Sequence, residues 1–251
     1  MSKELYENLN DFLTYTHRLG VLDTIKVVGT ADATKFSSML EDRSVVFYGS
    51  LKKPIAELAG QTVGFARIGV LDGFMKYPAF QPDLNGSITF KEENGTVTEL
   101  AFKGKTGTSS NYRFVGAAVI EKKINVPEFK GSDWDLEYSP TKNDVAQLKY
   151  LSGILSGYES TFTISVEDGV LTFNVGSNSS DRTTICINDN ELTVNNQVTN
   201  GHAWQFGNLL TILSMCENAA CKMYISNNGV IRITLDSGQG FYEYYLLATP
   251  V

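Results

Sequence analysis

Histidine is scarce in this chain. Only His17 and His202 are present, and neither has a second histidine or a cysteine at ligand spacing, which excludes the common zinc signatures. Cysteine is nearly as rare, with Cys186, Cys216 and Cys221. The odd count argues against a disulfide framework and no Cys-x-x-Cys pair points to a metal, so all three read as buried or half-buried thiols. No run of about 18 apolar residues occurs, so no membrane span is expected. The opening "MSKELYENLNDF" lacks the apolar core of a signal peptide, and the expected location is the cytoplasm.

Catalytic motifs are missing too. "GKTGTSSN" at 104–111 has glycines and a lysine but not the Gly-x4-Gly-Lys-Ser/Thr spacing, and it precedes a strand rather than a helix. "GYES" from Gly157 is no nucleophile elbow, because Gly-x-Ser-x-Gly is absent. Asp133, Asp135 and Glu137 cluster on a connecting segment, where a solvated face is the default reading. Neither an enzyme nor a cofactor is expected. Positive charge is also short, with a formal net charge of −7. Proteins that hold nucleic acid by affinity are usually basic, because phosphate neutralisation supplies most of the binding. The balance argues against a repressor-like or histone-like protein. It leaves open one that encloses DNA without gripping it.

What is present is mostly period-two alternation. The chain has 251 residues, 42% hydrophobic and 20% charged, which suits one large domain or two small ones. Stretches such as "TIKVVG", "SVVFYGSL", "TFTISVED" and "VIRITLD" read as strands. Asn94-Gly95, Asp168-Gly169 and Asn228-Gly229 sit between strand pairs and predict hairpins. Four segments read as helices. Residues 3–20 place Leu5, Leu9, Phe12, Leu13 and Thr16 on one stripe, and Gly20 is a natural stop. "GVLDGFMKY" is short and ends at Pro78. Residues 141–157 carry a Thr141/Asp144 capping box and a stripe of Val145, Leu148, Leu151 and Leu155. "GNLLTILSMCE" is the fourth.

The two halves match. Each runs helix, strands, short helix, strands, and a shift of about 138 residues sets "RIGVLDGFM" on "QFGNLLTIL". This order predicts an internal duplication. "EKKINVPEFKGSDW" between the halves mixes charge, Pro127 and Gly131, and fits a connector. The expected division is a first domain over 1–120, a connector over 121–133 and a second domain over 134–251. The lysines of the second and third helices, Lys76, Lys142 and Lys149, stand out in a net-negative chain.

This pattern resembles the ring-shaped sliding clamps of DNA replication. It is closest to the trimeric two-domain kind of T-even-like phages and, as proliferating cell nuclear antigen, of eukaryotes. The carriers are "AWQFGNLLTILSMCENAACKMYISNNGVIRITLDSGQGFYEYYLLATPV" with its Tyr-Tyr-Leu-x-x-x-Pro ending, "FSSMLEDRSVVFYGSL", and "LKYLSGILSGYESTFTISVEDGVLTFNVGS". The resemblance implies an α+β fold: a duplicated DNA clamp whose two domains each carry antiparallel sheets and two helices. Three chains would close a ring around double-stranded DNA, independently of its sequence. Edge pairing between "NYRFVGA" (111–117) and "ELTVNN" (191–196) would join neighbouring subunits. It further implies a polymerase processivity factor that docks the polymerase and an ATP-driven clamp loader through short peptides, in the cytoplasm of the host if viral. Arg18, Lys76, Lys142 and Lys149 would face DNA, although Ser214 on the fourth helix stands where the family often has a basic residue. A peptide pocket would draw on Met39, Val45, Phe47, Ile124, Val126, Phe129, Tyr245, Leu246 and Pro250. Two other readings stand beside this one: a β-rich virion protein of tail or baseplate, and a monomeric processivity factor with a more basic DNA face.

Overall fold

Apolar spacing builds the first helix, and its partners are aromatic. Helix α1 (Ser2–Thr14) buries Leu5, Leu9, Phe12 and Leu13, and Thr16 just beyond it is fully buried. Phe12 sits 4.7 Å from the ring of Phe36 and 5.1 Å from that of Phe65. Gly20 then takes a left-handed φ of 77° and closes the following turn. The structure, a computed structural model, describes residues 2–20, 22–155, 157–176, 181–187, 192–198, 201–217 and 219–250.

The chain divides into two compact units, 1–39 with 47–127 and 237–242, and 40–46 with 128–236 and 243–251. In the first, α1 is followed by β1 (Thr24–Gly29), β2 (Thr34–Met39), β3 (Val45–Leu51, whose first two residues belong to the other unit), β4 (Thr62–Ala66), helix α2 (Ile68–Lys76), β5 (Ser87–Glu93), β6 (Thr96–Lys103), β7 (Ser109–Arg113), β8 (Val115–Gly116) and helix α3 (Ala117–Lys123). Strands β3, β2, β1, β4 and β8 are neighbours in that order, while β5, β6 and β7 form a second, antiparallel sheet. The stretch "NYRFVGA" therefore does not run as one strand. Its first part pairs with β6, and after Phe114 its second part pairs with β4. Helix α3, which the periodicity did not reveal, packs on Gly64 of β4. A Cβ there would lie 2.7 Å from Ile120, so only glycine admits the helix.

The second unit contains β9 (Leu136–Tyr138), helix α4 (Lys142–Leu155), β10 (Thr161–Glu167), β11 (Val170–Val175), β12 (Thr183–Ile187), β13 (Thr193–Val194), β14 (His202–Gln205), helix α5 (Phe206–Leu213), β15 (Ala220–Ser226), β16 (Val230–Asp236), β17 (Gly240–Leu247) and β18 (Thr249–Pro250). The first three residues of β17 belong to the other unit. One sheet runs β13, β9, β15, β16, β17 and the other β12, β11, β10, β14, β18. Phe162 fills the space over the latter, with its ring 5.8 Å from Phe173, 5.8 Å from Trp204 and 5.1 Å from Phe206.

Turn chemistry sets the hairpins. Asn94 and Gly95 have φ of 52° and 76°, and Asp168 and Gly169 have 50° and 77°, the left-handed pairs that match strand twist. Of "ELTVNN", only Thr193 and Val194 form strand, against β9, and Glu191 lies outside the described residues. The cysteine reading needs correction. Cys216 and Cys221 form a disulfide with Cα atoms 5.3 Å apart, where the helical turn after α5 reverses into β15. Cys186 is a free thiol, but an exposed one on β12. An odd count allows one bridge and one remainder, and spacing alone could not tell a local reversal from two separate thiols.

Candidate functional site

The cations of the first unit meet at one carboxylate. Arg18 lies in the turn after α1 and Lys76 ends α2, and between them stands Asp72, which is only 8% exposed. Arg18 Nε donates to Asp72 Oδ1 at 2.9 Å, and Lys76 Nζ reaches Oδ2 at 2.5 Å, one helical turn along. Arg18 also donates to Thr14 Oγ1 and Asn10 Oδ1, each at 3.0 Å. Burial by itself would raise the Asp72 carboxyl. The hydrogen bonds and charges of Lys76 and Arg18 outweigh it and hold the group below the usual carboxylate range. Two of the residues expected to face DNA are thus brought together, with one of their charges offset.

In the second unit the other two, Lys142 and Lys149, are exposed on α4. The helix is anchored as its sequence predicts. The Thr141 N–H donates to Asp144 Oδ2 at 2.9 Å and the Asp144 N–H donates to Thr141 Oγ1 at 3.2 Å, a reciprocal cap. Tyr138 on β9, fully buried, donates its hydroxyl to the same Oδ2 at 2.5 Å. Val145, Leu148 and Leu155 are buried and Leu151 is half-buried.

A second assembly of side chains covers the sheet β9–β15–β16–β17. Phe129 lies 4.4 Å from the ring of Tyr245 and 6.1 Å from Trp134, which in turn lies 5.7 Å from Tyr224. The guanidinium of Arg232, cross-strand neighbour of Tyr224, sits 5.2 Å from that ring and 5.9 Å from Trp134. Its Nε donates to Glu243 Oε1 at 2.9 Å. Ser132 and Ser226 share a hydrogen bond of 2.8 Å that fastens the segment carrying Phe129 and Trp134. Sequence reasoning missed Trp134, Tyr224, Arg232 and Glu243. For three of them the signal was there: Tyr224, Arg232 and Glu243 occupy the alternate strand positions that the core does not use, whereas Trp134 lies in the connecting segment before β9.

The structure brings Phe129 and Tyr245 together among the expected pocket residues. Tyr245 and Leu246 are successive in β17 and so project from opposite faces of the sheet. Leu246 is 2% exposed, on the same side as the buried Tyr244. Val45 and Phe47 in β3 are fully buried, Ile124 is buried after α3, and Met39 and Val126 are half-buried. Pro250 lies in β18, paired with His202. Of the three connecting carboxylates, Asp133 is exposed. Asp135 is buried and accepts from the Asn227 N–H at 2.6 Å and Asn196 Nδ2 at 2.8 Å, and Glu137 pairs with Lys222 at 2.5 Å. Among the described residues no group of three or more His, Cys, Asp and Glu could hold a metal ion, and no helix is long and apolar enough to cross a membrane.

No family model matches the sequence, and no curated protein does. Solved structures are similar across the whole chain. Proliferating cellular nuclear antigen from Entamoeba histolytica is 12% identical, with 98% of this chain and 94% of that one covered at a TM-score of 0.64. The PCNA2–PCNA3 complex from Sulfolobus tokodaii is 12% identical over 99% and 97%, at 0.65. The A. fulgidus PCNA bound to the C-terminal region of FEN-1 is 9% identical over 99% and 96%, at 0.66. At such identity the likeness is one of architecture: this chain has a mixed α+β fold, with antiparallel sheets and helices, like that of the proliferating-cell-nuclear-antigen clamps.

Proposed function

We propose that this protein is a DNA sliding clamp that confers processivity on a replicative polymerase without chemistry of its own. The observation that carries the reading is coverage. The likeness takes in 98% or more of this chain and 94% or more of each clamp, so it is not the sharing of one common motif. In this reading residues 1–120 and 134–251 are duplicated clamp domains joined by 121–133, and three chains close a ring in the cytoplasm, that of the infected host if the protein is viral. Duplex DNA is held by topology, which an acidic chain tolerates because it needs only weak phosphate contacts. Arg18, Lys76, Lys142 and Lys149 supply those contacts, with Arg18 and Lys76 softened by Asp72. Ring opening is driven by the ATP chemistry of a loader.

Partner peptides dock where Phe129 and Tyr245 meet. That the A. fulgidus clamp is found bound to a C-terminal region of another protein supports docking of such a tail. The test is the solution mass of the purified protein together with polymerase run length on a primed circle in the presence of a loader. A mass three times that of the chain and longer products are expected. A monomer that leaves run length unchanged overturns the reading.

A further inference from the structure

Helix α4 is apolar on both sides. Its inner stripe is buried, yet Tyr150 is 74% exposed, Ile154 60%, and Tyr158, just past the helix end, 87%. Tyr150 and Ile154 are four residues apart and so share a face, about 6 Å apart along the axis. The chain stays turned beyond Leu155, whose carbonyl accepts from the Tyr158 N–H at 2.8 Å. Two exposed tyrosines beside two exposed lysines, Lys142 and Lys149, make up this surface. The neighbouring polar residues on the helix are amides, Asn143 and Gln147; its one carboxylate, Asp144, is engaged in its cap, and the half-buried Glu159 follows Tyr158. In a chain of net charge −7, a helix whose own carboxylate is capped, with two lysines ahead of two exposed aromatic rings, matches a polyanion that also offers flat apolar faces.

We propose that this face of α4 binds an unpaired nucleic-acid strand, its bases stacking on Tyr150 and Tyr158 and its phosphates meeting Lys142 and Lys149. The choice of an unpaired strand follows from the rings. In a duplex the base faces are already stacked, and a surface tyrosine reaches them only by unstacking a step. In a single strand every base has a free face, so stacking is available without sequence preference. Two lysines neutralise few phosphates, which keeps the contact weak and its salt dependence shallow. The inference does not depend on a closed ring, because it concerns one face of one unit.

The test is fluorescence anisotropy with a labelled thymidine oligonucleotide of about 20 nucleotides, run beside a duplex of equal length. The strand is expected to bind, and to lose about seven-fold in affinity between roughly 50 and 200 mM salt, as two phosphate contacts require. Tyr150→Ala with Tyr158→Ala is expected to weaken strand binding by about ten-fold or more while leaving duplex binding unchanged. No binding by the native protein, equal losses on strand and duplex, or no loss on the strand overturns the proposal. A change of solution mass in the variant also overturns it, since the face would then serve contact between copies. Ultraviolet crosslinking of a bromodeoxyuridine strand to the unmodified protein checks the same point independently of folding. Adducts are expected on Tyr150 or Tyr158, and adducts confined to other segments overturn the assignment. Run length on a primed circle is a separate measurement, so failure here and failure of the clamp reading are distinguishable.

Discussion

Asp72 decides how much positive charge the first unit presents. Its position was silent in the sequence, where "GVLDGFMKY" shows one aspartate in a short helix and gives no sign that Arg18, 54 residues earlier, returns to it. Burial with two cationic donors makes the ionised form the stable one. Because the folded-state pKa is depressed, the contribution is complete above the unfolded carboxyl value of about 3.9 and is lost as pH falls through the lower folded value. Asp72→Asn should therefore cost on the order of 2 kcal/mol at pH 7 and progressively less in acid, until the pH lies below the depressed folded-state value and both proteins carry a neutral group. Urea unfolding of the two proteins at each pH measures the gap, and a gap that does not shrink in acid would assign the stabilisation to shape rather than charge. Asp135 teaches the same lesson in the other unit. It sits among carboxylates that look solvated in the sequence, yet it accepts from Asn227 and Asn196 in a buried position.

At the scale of elements, local rules were readable and distant ones were not. The Thr141/Asp144 spacing predicts a cap that forms with both reciprocal bonds, and the positive φ angles at Asn94-Gly95 and Asp168-Gly169 are those their residue types favour. The stripe of α1 is buried as its period requires. Helix α3 escaped because seven residues are too few to show a period, and its reason for existing is a glycine 56 positions away that leaves room for Ile120. The outer residues of α4 escaped for a related reason: the stripe of Val145, Leu148, Leu151 and Leu155 is legible, but nothing local shows that Tyr150 and Ile154, off that stripe, stay uncovered. For the cap itself, Asp144 does more than close a helix, since it also satisfies the hydroxyl of the fully buried Tyr138. Asp144→Ala removes both, at a combined cost of about 2 kcal/mol. A melting temperature lower by about 5 °C is expected by circular dichroism. A loss of less than about 1 °C would mean that neither bond stabilises the unit.

For the molecule as a whole, the apolar ending "GFYEYYLLATPV" acquires a division of labour that the sequence only outlined. Alternation along β17 sends Tyr242, Tyr244 and Leu246 into buried positions on one face and sets Tyr245 on the other, under Phe129. A substitution at Leu246 therefore tests packing, because deleting a buried leucine side chain costs about 2–5 kcal/mol wherever it sits. Phe129 is the sharper probe. It is half-buried, it belongs to the segment fastened by Ser132 and Trp134, and it is the neighbour of Tyr245 that a docking peptide would meet or displace. If partner tails bind there, Phe129→Ala should weaken the affinity of a polymerase C-terminal peptide by about ten-fold or more, as expected for an aromatic anchor at the centre of a small interface. The solution mass and melting temperature should hold, since the sheet beneath keeps its Arg232–Glu243 pair and its stacked Trp134 and Tyr224. Titration calorimetry with the isolated peptide reads the change directly. An affinity equal to that of the unmodified protein would move the docking site away from this face and leave the Phe129–Tyr245 contact as a fastening of the connecting segment to its sheet.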